Sequence, residues 1–335
     1  MILLKWRVFS VALILAISVL MPSLTKAQDA QSMTEIQLGS GGGGGAQTMS
    51  GGLTLDGEGG GTLTNTGTAG PEAIAFDGTY VWVATQFNNS ITRVRVSDGA
   101  LSGTFVVGKR PVALLYAASY LWVANLLSNN VMKLSPSTGS IAATYNVGDG
   151  PGGLAFDGTN IWVANRHGNT VTKLSAKGAN LGTFAVGKRP IGLAFAANSI
   201  WVANNFSNTV TRLSTAGAVL GTYAVGRGPF GVAAEGSNVW VTNYFGKSVT
   251  KLRASDGLNL GTFNVGDGAS GIGFDGTNLW VVNNGDSTVM KISPSGGSVI
   301  ATYATGKGPF SVAFGGSKVW VPNFGSNSIS TTATN

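Results

Sequence analysis

The stretch Trp201-Val202-Ala203-Asn204, followed four residues later by Asn208-Thr209-Val210, predicts a β-strand, a polar loop and the start of a second strand. The same pattern recurs along the chain at intervals of 39 or 40 residues. A fixed period in this range indicates a repeat architecture. The repeated tryptophans are Trp82, Trp122, Trp162, Trp201, Trp240, Trp280 and Trp320.

Each repeat holds four short β signals separated by turn residues. In the fourth repeat the signals cover residues 191–195, 200–203, 209–213 and 221–225. Asp-Gly pairs often separate the first two signals, as at Asp157, and supply the positive φ angles of tight hairpins. Four antiparallel strands in about 40 residues is the size of a β-propeller blade. The sequence therefore predicts an all-β fold, a seven-bladed β-propeller over residues 61–335.

The two ends of the repeat array complement each other. The last repeat holds only three β signals, whereas Gly61-Thr62-Leu63-Thr64, ahead of the first repeat, resembles the fourth-strand stretch Gly182-Thr183-Phe184-Ala185. We therefore expect residues 61–66 to form an N-terminal strand that completes the last blade. Such a strand closes the ring and leaves no open edge between the first and last blades.

The N-terminus has the layout of a secretory signal peptide over residues 1–27. Lys5 and Arg7 precede an apolar run over residues 8–21, and Thr25-Lys26-Ala27 offers small residues for cleavage. This layout predicts a periplasmic, secreted or cell-surface protein, with a retained N-terminal anchor as the alternative. Residues 28–60 are rich in glycine and are predicted to form a flexible linker. Cleavage removes three cations and no anion, which lowers the net charge from +7 to +4.

Few residues are suited to catalysis or to metal binding. The chain has no cysteine, which excludes disulfides and thiol chemistry, and His167 is its only histidine. Asp149 and Asp267, each within Val-Gly-Asp-Gly, are more typical of turns than of cation sites. The sequence therefore predicts no catalytic group, no metal site and no cofactor.

The repeat resembles that of a known family. Trp240-Val241-Thr242-Asn243, with Ser248-Val249 after it, resembles the repeat of the YVTN β-propeller family, with tryptophan in place of its tyrosine. The resemblance covers residues 61–335 and implies the fold. Relatives of this kind include surface-layer proteins, a periplasmic single-strand DNA binder and, more distantly, the streptogramin (virginiamycin B) lyases.

The likeness to the lyases implies a specific site. Those enzymes use histidine and glutamate beside a magnesium ion to abstract and return a proton. Here the candidates are His167, in the loop after Trp162-Val163-Ala164-Asn165, and Glu235, at the turn between the first two strands of blade five. These two kinds of loop lie on opposite faces of a propeller, whereas a base and its partner must come within hydrogen-bond reach. His167 is therefore expected to be an exposed loop residue.

Two further ladders accompany the tryptophans. Asparagines follow three residues after six of them and are expected to cap backbone groups, and cations follow eleven residues after six of them and are expected at the edges of the blades. The asparagines are Asn125, Asn165, Asn204, Asn243, Asn283 and Asn323. The cations are Arg93, Lys133, Lys173, Arg212, Lys251 and Lys291. The tryptophans themselves are expected to fill the space between blades.

One face of the propeller is predicted to be basic and aromatic. The loops that precede each blade and those after each Trp-Val-x-Asn motif share this face, and together they hold eight cations and three aspartates, a net charge of +5. Basic residues interleaved with aromatic ones suit an anionic polymer such as single-stranded DNA or an acidic glycan. The candidate ligand-binding residues are Lys109, Arg110, Arg166, His167, Lys188, Arg189, Phe206, Arg227, Tyr244, Phe245 and Lys307.

The sequence thus favours an exported, non-catalytic propeller, expected to be a monomer, that binds a ligand or a protein partner through this face. An enzyme like the streptogramin lyases and a purely structural envelope protein are the two alternatives. An ordinary soluble surface with scattered charge would account for the same residues if no ligand is bound.

Overall fold

The computed structural model describes residues 31–38 and 69–334. Its regular structure is entirely β: seven blades of four antiparallel strands stand in a ring around a central channel. In each blade the first strand lines the channel and the fourth is outermost. The predicted seven-bladed β-propeller is therefore confirmed. The described residues contain no helix that could cross a membrane.

The strands follow the repeat closely. The N-terminal strands are β1 (Gln31–Ser32) and β2 (Thr34–Gln37). Blades one and two hold β3 (Pro71–Phe76), β4 (Tyr80–Thr85), β5 (Ser90–Arg95), β6 (Leu101–Val106), β7 (Pro111–Ala117), β8 (Tyr120–Asn125), β9 (Asn130–Leu134) and β10 (Ile141–Asn146). Blades three and four hold β11 (Pro151–Phe156), β12 (Asn160–Asn165), β13 (Thr170–Ser175), β14 (Asn180–Ala185), β15 (Pro190–Ala196), β16 (Ser199–Asn204), β17 (Thr209–Ser214) and β18 (Val219–Ala224).

The remaining three blades continue the series. Blade five holds β19 (Pro229–Glu235), β20 (Asn238–Asn243), β21 (Ser248–Arg253) and β22 (Asn259–Asn264). Blade six holds β23 (Ala269–Phe274), β24 (Leu279–Asn283), β25 (Thr288–Ile292) and β26 (Val299–Ala304). Blade seven holds β27 (Ala313–Gly315), β28 (Lys318–Asn323) and β29 (Ser328–Ala333), with β2 as its fourth strand.

The repeated tryptophans form the core between blades, as predicted. All seven are fully buried, and six pack against a phenylalanine or tyrosine of the fourth strand with ring centroids 5.3–5.9 Å apart. Trp82, for example, packs with Leu121, Val123 and Leu134 of the next blade. Burying rings of this size is the main favourable term that holds neighbouring blades together.

The Asp-Gly turns also support this core. The Asp157 carboxylate accepts the backbone N–H groups of Thr159 and Asn160 at 2.8 and 2.6 Å, and the indole N–H of Trp162 at 2.8 Å. Asp77 and Asp275 make the same three bonds in blades one and six. The aspartate therefore fixes the hairpin and satisfies a buried donor at once.

The repeated cations link each blade to the next. Lys133 Nζ donates to the carbonyl oxygen of Ala176, and Lys173 Nζ to that of Thr215, in the turn between the third and fourth strands of the following blade. All six cations make such a bond, at 2.5–3.1 Å, and lie over the tryptophan of their own blade. Blade seven has Thr331 at this position, so the described chain makes no cation link from blade seven to blade one.

An N-terminal strand completes the last blade, as predicted. Strand β2 pairs antiparallel with β29, from Thr34 opposite Thr331 to Gln37 opposite Ser328. Strand β1 adds a fifth, parallel strand to the outer edge of blade six. On either side of the gap in the described chain, the backbone N–H groups of Leu38 and Ala69 both donate to Asn327.

The prediction of which residues supply this strand was wrong. Residues 61–66 lie outside the described residues, and the free edge of β29 is taken by Thr34–Gln37. Part of the predicted linker over residues 28–60 is therefore strand. Ile36, opposite Ile329, takes the place that Phe184, opposite Val171, has in blade three. Leu38, 1% exposed, likewise takes the place of Val186. The stretch at Gly61 resembles a fourth strand only in its first residues, because Asn65 stands where an apolar residue is needed.

Small residues let the first strands converge on the channel. A Cβ atom at Gly153 would overlap the carbonyl oxygen of Ile191, and one at Gly192 would overlap that of Phe230. Backbone thus packs on backbone between neighbouring first strands, as the small residues at these positions predicted. The central cavity has a volume of about 240 Å³.

Candidate functional site

The two faces of the ring differ in their connections. We call the face that carries the loops from second to third strand and from fourth strand to the next blade the loop face, and the opposite one the turn face. All of the predicted ligand-binding residues lie on the loop face, in seven different loops. The structure brings some of them together at the channel mouth and leaves others at separate loop tips.

A buried ion pair lies at the channel mouth. Arg166 Nη2 lies 3.7 Å from Glu72 Oε1 and donates a hydrogen bond of 2.9 Å to the carbonyl oxygen of Gly152. The two side chains are only 10% and 6% exposed. Burial raises the pKa of Glu72, although Arg166 and Arg110 oppose this shift. Burial also lowers the pKa of Arg166, with Glu72 opposing the shift and Arg189 and Arg110 adding to it.

A glycine in blade three makes room for Arg166. A Cβ atom at Gly152 would overlap Nε of Arg166, so the guanidinium lies directly over the glycine. Gly152 directly follows the first residue of its strand, and in the other blades this position carries a side chain. Those side chains belong to Glu72, Val112, Ile191, Phe230, Ser270 and Phe310. Arg166 therefore fills the space at the channel mouth that the first strand of its blade, with glycine at position 152, leaves empty.

Two more arginines flank this pair in an unusual backbone conformation. Arg110 and Arg189 have φ angles of 55° and 53°, in the left-handed region that favours glycine. The equivalent residue in the other five loops is a glycine with φ between 60° and 67°. A non-glycine residue there costs of order 1 kcal/mol or more, and such strain concentrates at functional sites.

The side chains of these two arginines are held in place. Arg110 Nε donates to Oε1 of Gln86 at 2.7 Å, and Arg189 lies over the exposed ring of Phe206 at 4.5 Å from its centroid. The positive charges of both arginines contribute to the lowered pKa of Arg166. We call Arg110, Arg166 and Arg189 the arginine cluster.

Aromatic rings form an arc on blades five, seven and one. Consecutive rings along the arc have centroids 5.1–6.5 Å apart. The arc runs through Phe245, Tyr244, Phe230, Phe310, Phe324 and Phe87. Phe230 and Phe310 line the cavity, whereas Phe245 and Phe87 are 59% and 56% exposed. We call these six residues the aromatic arc.

The remaining candidates stay apart. Lys109, Lys188, Arg227 and Lys307 are exposed, and among the described residues their charged groups have neither an ion-pair nor a hydrogen-bond partner. His167, 53% exposed, lies 3.7 Å from Asp149, and Lys247 pairs with Asp267 at 2.9 Å. With Glu72 and Glu35 included, the loop face carries eight cations and five carboxylates, a net charge of +3 rather than +5; the Glu35 carboxylate accepts a hydrogen bond from Ser326 in the loop after β28.

Sequence reasoning missed Glu72, Phe230 and Phe310. In each repeat, the stretch that lines the channel begins at a proline or, in blade six, at Ala269. All three residues directly follow that first residue. The residue type at this position varies between blades, whereas the next position always holds a small residue. That variation was the available signal, because a repeated scaffold residue has no reason to change from Glu to Gly to Phe. These residues face the channel mouth, where the seven blades meet.

The histidine and glutamate implied by the lyase resemblance do not meet. Glu235 lies on the turn face, where its Oε2 accepts the indole N–H of Trp240 at 3.3 Å and the side-chain amide of Asn238 at 3.0 Å. His167 lies on the loop face. No group of three or more His, Cys, Asp or Glu side chains within residues 31–38 and 69–334 is placed to hold a metal ion.

Comparisons with known proteins show the fold. No protein-family model and no curated protein matches the chain by sequence. Among solved structures, virginiamycin B lyase from Staphylococcus aureus superposes with a TM-score of 0.71 and 18% identity, over 79% of this chain and 96% of that one. Hydrazine synthase from Kuenenia stuttgartiensis gives 0.71 and 18%, over 82% and 98%. BamB from Moraxella catarrhalis gives 0.57 and 14%, over 78% and 84%.

The predicted likeness to the streptogramin lyase propellers therefore holds for the fold. At identities below 20% it carries no residue roles to this chain. What the loop face can do is decided by its own side chains. An arginine cluster beside an arc of aromatic rings can bind a molecule that carries both negative charge and flat apolar groups.

Proposed function

We propose that this protein is an exported, non-catalytic binding protein that holds single-stranded nucleic acid on its loop face. The observation that carries the proposal is the pairing of the arginine cluster with the aromatic arc around one channel mouth. Phosphates are neutralised by arginine and lysine, and bases stack on aromatic side chains whatever their sequence. The predicted signal peptide over residues 1–27 supports export, and one closed ring suits a monomer.

The unpaired cations extend this site over the face. Within the described chain, Lys109, Lys188, Arg227 and Lys307 stand at loop tips without a carboxylate to neutralise them, so a bound strand displaces water and counterions and breaks no ion pair. Phe206, 60% exposed, adds a ring next to Arg189. An acidic glycan offers the same charge but no bases for the aromatic arc to stack on.

The direct test is binding of a labelled (dT)20 strand, followed by fluorescence anisotropy between about 50 and 200 mM salt, with heparin as a parallel ligand. We expect affinity for the strand to fall linearly with salt on a log–log plot. Replacing both Lys188 and Lys307 with serine should lower the slope by about 0.7 for each phosphate that is no longer neutralised. The control replaces Arg95 and Lys177, two cations of the turn face, with serine and should leave the slope unchanged.

Three results would overturn the proposal. If neither ligand is bound at about 50 mM salt, the loop face is not a polyanion site. If heparin is bound but the DNA strand is not, the polymer is an acidic glycan and the nucleic-acid proposal is wrong. An equal loss of slope in the turn-face control would show that charge alone, and not the loop face, causes binding.

A further inference from the structure

The arginine cluster has binding capacity that the described chain does not use. On Arg166, Nη2 bonds to the carbonyl of Gly152, and Nε is buried against Gly152 without a partner among the described residues, so any capacity for a ligand comes from the charge of the cluster. In the part of the chain that the structure describes, Glu72 is the one carboxylate that pairs with the arginine cluster. Arg166 and Glu72 line the cavity that opens onto the loop face, and Arg110 and Arg189, outside its lining, bring the charge of the cluster with Glu72 to about +2.

We propose that the channel mouth is a subsite for one terminal phosphate group of the bound strand, with Arg166 at its floor and the terminal base against Phe230 and Phe310. This inference rests on the proposed function and names the part of the ligand that the mouth recognises. A terminal phosphomonoester carries about −1.5 to −2 at pH 7, which matches the local charge. An internal phosphodiester carries only one negative charge.

Burial selects an end rather than the middle of a strand. The side chain of Arg166 is only 10% exposed and lies over Gly152, inside a ring of seven first strands. A strand that runs across the loop face can reach Lys188 or Lys307 with its internal phosphates, whereas Arg166 lines a cavity of about 240 Å³ at the channel mouth. A terminal phosphate with a single nucleotide behind it can enter.

The backbone strain supports the same assignment. Arg110 and Arg189 occupy left-handed positions where the other five loops have glycine, and the positive charges of both contribute to the lowered pKa of Arg166. Arg166 in turn needs the glycine at position 152. Three departures from the repeat therefore converge on one point, which is how a repeated scaffold gains a site.

The aromatic residues of the cavity would bind the base of the terminal nucleotide. Phe230 and Phe310 line the same cavity as Arg166 and Glu72, with their rings 5.4 Å apart in an edge-to-face arrangement. A base entering with its phosphate would meet these rings on the side of the mouth opposite the cluster. One nucleotide would then supply both the phosphate that the arginine cluster binds and the base that stacks on the rings.

The test is a competition assay with three unlabelled (dT)10 strands that carry a 5′-phosphate, a 3′-phosphate or hydroxyl groups at both ends. Each displaces the same labelled strand from the protein. We expect one of the phosphorylated strands to compete about tenfold better than the hydroxyl-ended strand, because charge-assisted hydrogen bonds are the strong ones. The double variant Glu72→Gln/Arg166→Gln should lose affinity for that phosphorylated strand more than for the hydroxyl-ended strand, so that the ratio of the two affinities falls to about one.

The double variant is chosen so that folding is not at risk. Replacing Arg166 alone leaves the Glu72 carboxylate buried and unpaired, whereas replacing both members removes two buried charges together. Glu72→Gln alone serves as the matched control; it removes the carboxylate partner of Arg166 but keeps an amide oxygen that can accept from it, and a thermal melt checks that this variant folds. It should keep or increase the preference for a phosphorylated end, because the local charge rises. Gly152→Ala, which displaces Arg166, is a second variant expected to lose the preference.

The outcomes separate this inference from the proposed function. If the wild type binds all three strands equally, the terminal-phosphate subsite is wrong and nucleic-acid binding stands. If it binds no strand, the proposed function is wrong, and thermal stability with added thymidine 5′-monophosphate then decides the subsite. A rise in melting temperature that the double variant lacks supports it, and no rise overturns it. A preference retained by the double variant also overturns it.

Discussion

The turn face and the loop face differ in which charged residues the fold uses: carboxylates with hydrogen-bond or ion-pair partners on the turn face, and several unpaired cations on the loop face. On the turn face Asp77, Asp157 and Asp275 cap turns and accept indole N–H groups, Glu235 accepts from Trp240, and Asp98 and Asp256 pair with Arg95 and Arg253. The Arg253 pair holds the pKa of Asp256 down to about 2. On the loop face, Lys109, Lys188, Arg227 and Lys307 have no such partner within the described chain.

The paired carboxylates of the turn face therefore serve the fold, whereas the unpaired cations of the loop face are available for binding. A carboxylate that fixes a hairpin stays ionised, but its oxygens are occupied by hydrogen bonds that the fold needs. An unpaired loop cation has no role in the fold and keeps its full field. Net charge alone would not show this, because the sequence assigns only a modest excess to either face.

The largest effect should follow from breaking a turn-face carboxylate. Asp157→Ala removes two turn hydrogen bonds and leaves the indole N–H of buried Trp162 without an acceptor, so we expect the free energy of unfolding to fall by about 2–4 kcal/mol. Asp149→Ala, an equal charge change at an exposed position of the loop face, should stay within about 0.5 kcal/mol. Urea denaturation of both variants checks this, and equal losses would contradict it.

The same aspartate makes stability depend on pH. Burial alone would raise the pKa of Asp157, but hydrogen bonds from Trp162, Asn160 and Thr159 outweigh it and lower that pKa. A lowered pKa in the folded state gives stability that is complete above the unfolded value near 3.8 and is lost as pH falls below it. The difference in unfolding free energy between wild type and Asp157→Ala should therefore shrink below about pH 4.

The next effect concerns the aromatic arc. Phe245→Ala should weaken binding of (dT)20 by about 1–3 kcal/mol, because its ring is exposed and free to stack on a base. Its salt dependence should not change. Leu220→Ala, at an exposed residue on the outer strand of blade four, is the control and should bind like the wild type. Similar losses in both variants would show that the arc is not a stacking surface.

A smaller gain is expected at the seam between blades seven and one. In Thr331→Lys the new ammonium group can donate to the carbonyl of Val96 in blade one. Val96 is the equivalent in blade one of Pro136 and Ala176, whose carbonyls accept the cation links in blades two and three. A cavity of about 230 Å³ beside Thr331, Gly99 and Ile36 leaves room for its stem. Thr331→Lys should stabilise the protein by about 1 kcal/mol in urea denaturation, while Thr332→Lys should not.

The smallest effect is expected from a single loop cation. Lys307→Ser should lower the log–log salt slope of (dT)20 binding by about 0.7 and change the unfolding free energy by less than about 0.5 kcal/mol. Lys177→Ser removes the same charge from the turn face and should leave the slope where it was. If the two variants shift the slope equally, the distinction between the faces has no consequence for binding.

The fold could be predicted because the evidence for it is repeated. Seven tryptophans, their asparagines and their cations all recur at one spacing, so errors in one copy are corrected by the others. The closing strand was predicted in kind but not in position, because Thr34–Gln37 has Ile36 where the other blades have an aromatic ring. A single divergent copy offers no such correction.

The candidate site was harder to predict for the opposite reason. Arg166 matters because Gly152 has no side chain to fill the mouth, and Glu72 and Phe310 matter because they differ from their equivalents in other blades. Residues that depart from a repeat are invisible to a search for the repeat. Their convergence also depends on blades one, three and seven facing one axis, which is a property of the closed ring.

The cation links give the ring a direction. Six of them run from one blade to the next, and the last runs from Lys291 to the carbonyl of Thr334 at the C-terminal end. Within the described chain, the seam without such a link is the one closed by a short N-terminal strand. Under mechanical load the ring thus has one weak joint, and force spectroscopy should record an early opening there that Thr331→Lys delays.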